Sequence, residues 1–599
     1  MDQETLRLEY TKAAHNYSSL AEKEEKSLFI ISIIRLVVFA GGFILSWLAF
    51  TSGIVPGIFT ALFMLSLFLW LVKVYMVHSS KKEYLKNLSV INAREAAVIS
   101  GDFSSMDQGT EYADAGHPFS NDIDLFGPAS LFQYINRTVT GHGRDILAGW
   151  LSEPYRLAAE LVKRQQAIKE LSIKAKWRQD FQAQGMTNPL EKKDLESVIS
   201  WIADSKSSIR GIHRYLFIIL PLATLIALSL LIAGLLHYSI FTSLITINLL
   251  YVFSGIRNTG RLHTSLSKRY LQLESMNRLI SLFENERFES ELMISIRSGL
   301  AGKDFSAAEA VGKLGKIIRA FDNRLNLIVG IALNGLLLWD YQCIWRLEKW
   351  KKKYRDSFSG WLEMLGITDA FISLAGYAFN NQGYVFPVIA ENGTVLAIKS
   401  GGHPLLNSKE RICNDFEIAE KGQVCVITGA NMAGKSTFLR TISVNLVLAM
   451  SGAPVCAGSM TFRPVKLFTS MRTTDSLSGH ESYFYAELRR LGTLKDLVQS
   501  GEPVLFILDE ILKGTNSGDK SLGSKLFIKK LIEHGGTGII ATHDLSLGDL
   551  EQEYKGTLFN KCFEVEIDND RISFDYILRD GLTRKMNAAI LMKQMGILD

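Results

Sequence analysis

A β-branched apolar run that opens into glycine-rich sequence constrains the fold of this chain more than any other stretch. Val424-Cys425-Val426-Ile427-Thr428 leads into Gly429-Ala430-Asn431-Met432-Ala433-Gly434-Lys435-Ser436-Thr437. Gly429 to Ser436 fits G-x-x-x-x-G-K-[ST], the pattern of a phosphate-binding loop between a strand and a helix. The residue types follow from what a polyphosphate requires. Glycines let backbone N–H groups turn inward, Lys435 reaches the β and γ oxygens, and the Ser436 hydroxyl is a Mg²⁺ ligand. The helix that follows presents its positive end to the anion. Phe438 to Met450 has the composition of that helix. A ligand-free glycine turn would give no reason for a strand before and a helix after. ATP with Mg²⁺ is therefore expected on Gly429, Ala430, Asn431, Met432, Ala433, Gly434, Lys435, Ser436 and Thr437.

Further along, Val504-Leu505-Phe506-Ile507-Leu508-Asp509-Glu510 is an apolar strand that ends in two carboxylates. An acid at such a strand end holds Mg²⁺ through water, the role expected of Asp509. Glu510 beside it is placed to polarise the attacking water as general base. A third strand, Thr537 to Ala541, leads to Thr542-His543-Asp544, and His543 at a shared sheet edge can contact the γ-phosphate or that water.

The N-terminal half carries a different signal. No charged residue lies between Arg35 and Lys73, nor between Arg214 and Arg257. At about 1.5 Å per residue the runs make about 55 and 63 Å of helix, close to two crossings each of a ~30 Å hydrocarbon layer. Thr51 to Gly57 and Gly234 to Ser239 supply the turns, so two hairpins and four spans are expected. Neither turn holds a lysine or arginine, which puts residues 1–34, 77–213 and everything after 257 in the cytoplasm, both termini included. The shorter apolar run Leu325 to Trp339 contains Asn326 and Asn334 and is expected as a buried core helix. The chain is 47% apolar and 21% charged, with mean hydropathy +0.12, a composition that suits a protein partly in lipid. A net charge of +5 is too mild to require nucleic acid. Cys343, Cys413, Cys425, Cys456 and Cys562 are scattered, with no C-x-x-C pair, which argues against a disulfide framework and a zinc site.

The expected order is a cytosolic helix (1–30), a transmembrane hairpin (31–76), a helical segment (77–213), a second hairpin (214–257), more helices (258–365) and an α/β nucleotide-binding domain (366–599). Apolar residues three or four apart at Leu266, Tyr270, Leu273, Met276, Ile280 and Phe283, and again from Leu314 to Ile328, read as long helices or coiled-coil-like arms.

The phosphate-loop stretch Thr428 to Thr437 resembles that of the MutS family of ABC-type ATPases. Leu508-Asp509-Glu510-Ile511-Leu512-Lys513-Gly514-Thr515-Asn516-Ser517-Gly518-Asp519 is similar to that family's Walker B segment and following loop, and Ala541-Thr542-His543 to its switch histidine. Asn136-Arg137-Thr138-Val139-Thr140 through Trp150-Leu151-Ser152-Glu153-Pro154 resembles its core, or lever, domain. Gly402-His403-Pro404-Leu405 and Asn414-Asp415 resemble the lead into its ATPase. The resemblance implies an all-α lever region with a C-terminal P-loop ATPase, a homodimer that sandwiches ATP, and binding of mismatched or branched DNA. It also implies a serine that reaches across to the partner's γ-phosphate. Ser482 in Gly479 to Leu488 is the matching residue, with Ser478 as its rival and Glu487 in the family's acidic position. Lys435, Ser482, Glu510 and His543 are then the expected catalytic set, and Ser436 and Asp509 the metal ligands.

The chain departs from that family in telling places. Its N-terminal part has no Phe-x-Glu motif, the family's mismatch reader, and the second hairpin falls where a DNA-clamping domain is usually inserted. Before Asn414, where the family offers an aromatic to adenine, stands Arg411-Ile412, and Arg411 is expected to stack on the base. A membrane-anchored ATPase is the reading, with DNA implied by the resemblance alone. The alternatives are an ATP-driven membrane scaffold or signalling protein and an ABC-type transporter, whose spans here would lack any charged site.

Overall fold

Two helices of 50 and 46 residues, Gln3–Ser52 and Ile54–Ile99, form a hairpin hinged on a single residue, Gly53, at φ 151°. Pro56 sits in the first turn of the second helix, where its missing N–H has no intrahelical bond to lose. The turn foreseen over residues 51–57 thus shrinks to one non-helical position. The two helices are antiparallel: Ser89 donates to the Ala14 carbonyl at 2.8 Å, and His78 and Lys81 both hold Glu24 at 2.7 Å. Each helix is continuous from its polar half into its apolar half. Eighteen-residue windows reach mean hydropathies of 2.6 and 2.2 with 11% of each window buried.

The computed structural model describes residues 2–154, 157–204, 213–302, 305–472, 483–513, 516–568 and 571–583. It is mostly helical, with an α/β region at its C-terminal end.

The helical body is built on one 42-residue helix, Trp339–Asn380. Its window of mean hydropathy 1.3 is 72% buried, so it serves as a spine inside the protein. Helices Gly141–Ser152, Ala158–Ile173 and Ala307–Phe321 pack along it. Close approach needs glycine: a Cβ at Gly366 would lie 2.9 Å from Ile146 Cδ1 and 3.1 Å from the His142 backbone. Asp369, wholly buried on the spine, accepts from the Val139 and Thr140 amides and the Thr140 hydroxyl at 3.0, 2.8 and 2.7 Å. The stretch read as long arms forms two shorter packed helices, Tyr270–Asn285 and Ala307–Phe321. Leu273, Met276, Ile280, Phe283, Leu314 and Phe321 are buried there.

The second hairpin joins His213–Ile232 to Tyr238–Ser254, and the chain then bends by 69° into Thr259–Ser267. Pro221 lies inside the first of these helices and cannot donate to the Phe217 carbonyl one turn back. Gln342 of the spine donates to that carbonyl instead, at 2.7 Å. The expectation of a buried core helix over Leu325 to Trp339 is overturned. Helix Leu327–Leu337 packs on the second hairpin, and Leu327 and Ile328 are 76% and 80% exposed. Its Gly330, Asn334 and Gly335 face inward while Leu327, Ile328, Val329 and Ile331 face out, the reverse of a core helix.

The C-terminal region holds a six-stranded sheet in the order Leu578–Asp580, Leu558–Phe563, Val424–Gly429, Thr537–Thr542, Val504–Asp509, Lys466–Ser470. All neighbours are parallel except Leu578–Asp580, which pairs antiparallel. Three of these strands are buried at every residue, as parallel strands covered on both faces must be. A four-stranded sheet (Val388–Ile389, Ser459–Phe462, Leu396–Gly401, Asn414–Ile418) lies beside it in the chain.

The first hairpin is locked to the helical body by a buried ion pair. Arg137 Nε and Nη2 donate to the two Glu95 oxygens at 3.0 Å each, and Asn380 at the spine's end donates to Glu95 at 2.6 Å. Glu95→Ala would leave a buried guanidinium without its carboxylate, which costs about 3–5 kcal/mol. Amide hydrogen exchange over residues 84–95 should accelerate accordingly. A Glu95→Met, Arg137→Met double variant should lose much less, because it removes both charges.

Candidate active site

The parallel register brings three strand ends to one edge. Asp509 pairs with Ala541, and Ile427 pairs with the same residue from the other side. Gly429, Asp509 and Thr542 therefore finish side by side. From Gly429 the chain makes a tight loop, with Met432 at φ 66° and Gly434 at φ 98°, and enters helix Lys435–Met450. A side chain at Gly434 would be strained by that φ, and its Cβ would come within 2.9 Å of the Tyr576 ring.

Lys435 is buried, and its ammonium donates to the Gly429 and Ala430 carbonyls at 2.8 and 2.9 Å. Burial lowers its pKa to about 8, with Asp509 and Glu510 pulling the other way. The Ser436 hydroxyl donates to Asp509 Oδ2. Glu510 adopts φ 52°, pinned by its amide on the Ala541 carbonyl at 2.9 Å. Its carboxylate stands 3.7 Å from His543 Nε2 and 3.5 Å from Lys520 Nζ. His543 Nε2 lies 3.3 Å from Lys435 Nζ. Burial first, then the Lys435 charge, hold the imidazole pKa below its ordinary value, so His543 is neutral near pH 7.

These five residues line a cavity of about 580 Å³, whose lining also includes His403, Leu406, Ile412, Asn414 and Tyr576. Burial lowers the His403 pKa to about 4, so its ring is neutral there. Ala430, Asn431, Met432, Gly434 and Thr437 also line the cavity, while Ala433 is buried behind the loop. Arg411 is turned away from the cavity. Its guanidinium donates to Cys456 Sγ at 2.8 Å and the Leu406 carbonyl at 2.6 Å, and lies 5.8 Å from the Tyr384 ring centre. Ile412 and Tyr576 line the cavity where Arg411 does not. Ser482 and its rival Ser478 lie outside the described residues, as do Gly514 and Thr515.

Glu487, in the acidic position of the Gly479 to Leu488 stretch, holds backbone. It is buried and accepts from the Leu512 and Lys513 amides at 2.6 and 3.1 Å, which fixes the loop after Glu510, where Leu512 sits at φ 60°.

A polar joint behind the site was not foreseen. Asp124 of the 117–127 segment, itself at φ 51°, accepts from Arg440 on the loop's helix at 3.1 Å and from Arg472 at 3.0 Å. Asp122 accepts from Thr469 and from the Arg472 amide, and Arg490 reaches it at 3.3 Å. Nothing in the sequence of the 117–127 segment names these partners. Tyr576 carried no signal either, since it lies downstream of every motif with no spacing that ties it to one.

A glycine loop, a lysine and a hydroxyl–carboxylate pair at the C-terminal edge of a parallel sheet define the class of an anion site on an α/β scaffold. The chain belongs to the MutS family. The family's domain V matches residues 425–596 and its domain III residues 116–375, a range that includes the second hairpin. Similarity to the DNA mismatch repair protein MutS of Aquifex pyrophilus is 26% identity over 524 residues, or 78% of this chain and 58% of that protein. The DNA mismatch repair protein MutS of Thermotoga maritima is 30% identical over 252 residues, covering 41% of this chain and 31% of that protein. The MutS protein homolog 4 of Mus musculus is 30% identical over 235 residues, covering 38% of this chain and 24% of that protein. The chain thus spans less than two thirds of the length of each of these relatives.

The lowered lysine pKa can be read directly. Because burial disfavours the ammonium, the Lys435 amine should become reactive to acetylation with a midpoint near pH 8 in the ligand-free protein. Exposed lysines should follow at about 10.4. Mass spectrometry of peptides labelled across a pH series measures both, and a bound polyphosphate should move the Lys435 midpoint upward.

Proposed function

We propose that this protein is a membrane-anchored ATPase of the MutS family that closes as a homodimer on Mg²⁺-ATP and thereby moves its helical body. The observation that carries the reading is the convergence of Lys435, Ser436, Asp509, Glu510 and His543 on one cavity at the sheet edge. The triphosphate lies along the 429–436 loop, whose amides and Lys435 neutralise it. Lys435 leaves its two loop carbonyls to do so. Ser436 and Asp509 suit Mg²⁺, since they bring a hydroxyl and a carboxylate oxygen together at the cavity, and Mg²⁺ needs few protein ligands beside phosphate and water. When bound, the ion supplies positive charge to the phosphate oxygens. Glu510 accepts the proton of the attacking water, and neutral His543 orients that water or the γ-phosphate by hydrogen bonding. Ile412 and Tyr576 take the base. Ser482 of a second copy completes the site.

Three helices with windows of high hydropathy and little burial, Gln3–Ser52, Ile54–Ile99 and Tyr215–Ile232, support the membrane part of the reading. Tyr238–Ser254 pairs with the last of them as a fourth span. DNA enters through the relatives, two of which are named as DNA mismatch repair proteins. The scaffold reading is favoured by the second hairpin, which occupies the helical body inside the domain III match.

The test is turnover by the full chain in detergent or nanodiscs. Lys435→Ala should abolish ATP binding, whereas Glu510→Gln should still bind ATP and lose about 10²–10⁴-fold in turnover. A Lys435→Ala protein that still hydrolysed ATP would sink the site. Mismatched and branched duplexes should stimulate turnover and bind with a steep salt dependence if DNA is the load. Turnover unmoved by any duplex, with no salt-dependent binding, decides for the scaffold.

A further inference from the structure

We infer that helix Leu327–Leu337 enters the bilayer from the cytoplasmic side and turns back within it, as a half-depth element beside the second hairpin. The inference rests on the membrane reading above and adds a lipid-facing surface to the part of the chain that sequence assigned to the protein core.

Length comes first. Eleven residues, all but Asn334 apolar or glycine, rise about 16 Å, half of a ~30 Å hydrocarbon layer, so the helix cannot cross. The two ends of the segment meet. Arg324, just before the helix, pairs with Asp340, just after it, at 3.2 Å. The long Arg324 side chain thus ties the entry of the segment to its exit, ends that a re-entrant loop brings to one side.

The inward and outward faces differ as lipid contact requires. Gly335 lies against the second hairpin, where its Cβ position is 3.1 Å from Ile245 Cγ2. Leu325, Leu327, Ile328 and Ile331 point away, 73%, 76%, 80% and 49% exposed. That surface continues the exposed apolar faces of the hairpin, such as Ile247 and Leu250.

Backbone groups freed at the turn need partners in lipid. Asn248, wholly buried between the hairpin helices, donates to Thr224 Oγ1 at 2.9 Å and to the Gly335 carbonyl at 2.7 Å. Asn334 accepts from the Asp340 amide at 3.0 Å and donates to the Asp340 carboxylate at 3.2 Å, closing the exit turn at Leu338 (φ 50°). Arg324 reaches back to Thr259 at 3.4 Å, where the hairpin bends. Aromatic side chains of the kind that settle at membrane interfaces crowd the same level. Tyr251 lies 4.9 Å from Tyr341, and Phe217 lies 6.0 Å from Trp345, ring centre to ring centre.

The experiment uses the full chain in phosphatidylcholine nanodiscs, with the exposed Cys413 replaced by serine and single cysteines labelled with an environment-sensitive fluorophore. Labels go at Ile328→Cys and Ile331→Cys, at Leu225→Cys in the hairpin as the lipid control, and at Ile173→Cys on the helical body as the water control. Lipid-borne doxyl quenchers near the headgroup and aqueous iodide are applied to each. Quenching of the Ile328 and Ile331 labels by doxyl and not by iodide, as for Leu225, is the expected result. If Leu225 responds to doxyl while Ile328 and Ile331 respond only to iodide, the re-entrant helix is overturned and the membrane reading stands. Protection of Ile328 and Ile331 from both quenchers would put protein, such as a second copy, on the helix and overturns the inference too. A Leu225 label open to iodide alone removes the membrane reading and the inference with it.

Discussion

Alternate residues of a strand point to opposite faces, and both faces of the central sheet must be filled. Val424, Val426, Phe506, Leu508 and Ile540 go to one side, where they pack with Leu491, Leu494, Ile528 and Leu531. Cys425, Ile427, Leu505, Ile507, Ile539 and Ala541 go to the other, and there the core does not end at a domain boundary. It runs through Phe438, Leu446 and Met450 into Leu147, Leu171, Phe371 and Leu374 of the helical body. Sheet and spine are held by one apolar interior, so the body cannot be a loosely tethered arm. The parallel register that pairs these strands also places Gly429, Asp509 and Thr542 on one edge. Burial of the sheet and assembly of the site are two results of a single register.

A close-packed core shifts between discrete arrangements and does not stretch. What can change with the contents of the cavity is the polar contact around it. Asp124 stands between Arg440, on the helix that begins at the phosphate loop, and Arg472, beside the segment that leads toward Ser482. Charged hydrogen bonds at partly exposed positions are cheaper to exchange than apolar packing, and the left-handed backbone at Asp124 fixes where its carboxylate points. On the proposed function this carboxylate registers movement of both elements that touch nucleotide. Glu487 does the same for the loop after Glu510, since its two backbone hydrogen bonds tie that loop to the helix Tyr483–Gln499.

The chemistry-bearing part of the site was legible because polyphosphate leaves few choices of residue at fixed spacing. Lys435, Ser436, Asp509, Glu510 and His543 all come to the cavity from local motifs on strand ends. The rest of the cavity lining was not legible, because Ile412 and Tyr576 arrive from separate segments with no spacing to mark them. Arg411 had the right place in the chain and the wrong direction: its donors find Cys456 and Leu406, a choice only tertiary packing makes. Hydropathy marked Leu325 to Trp339 as apolar but could not say which side of a 15-residue run meets protein. The answer lay in Gly330, Asn334 and Gly335, whose small or polar side chains line the packed face. The helix break at Gly53 followed local residues, whereas the apolar spacing from Leu314 to Ile328 ran through the break after Phe321, and the long-range pairing of Glu95 with Arg137 left no trace in either stretch.

The two hairpins are fastened to opposite ends of the spine. Tyr10 and Glu95 of the first bond Asn380 at its C-terminal end, and Phe217 of the second is bonded by Gln342 at its N-terminal end. Forty-two residues of helix are about 63 Å long, so a rotation of about 5° at one end displaces the other by about 5 Å. From Tyr10 to Arg35 the first hairpin has about 38 Å of helix before its charge-free part begins, and the second hairpin has almost none. On the membrane reading, the long polar stem carries the sheet-proximal end of the spine away from the bilayer while the far end rests on it. Pro221 then has a mechanical consequence. It frees the Phe217 carbonyl for Gln342, so the hairpin helix is tied to the spine through a bond an uninterrupted helix would have kept for itself. A spine pinned at both ends transmits a change at the sheet as a change in the angle between the hairpins, not as a free swing.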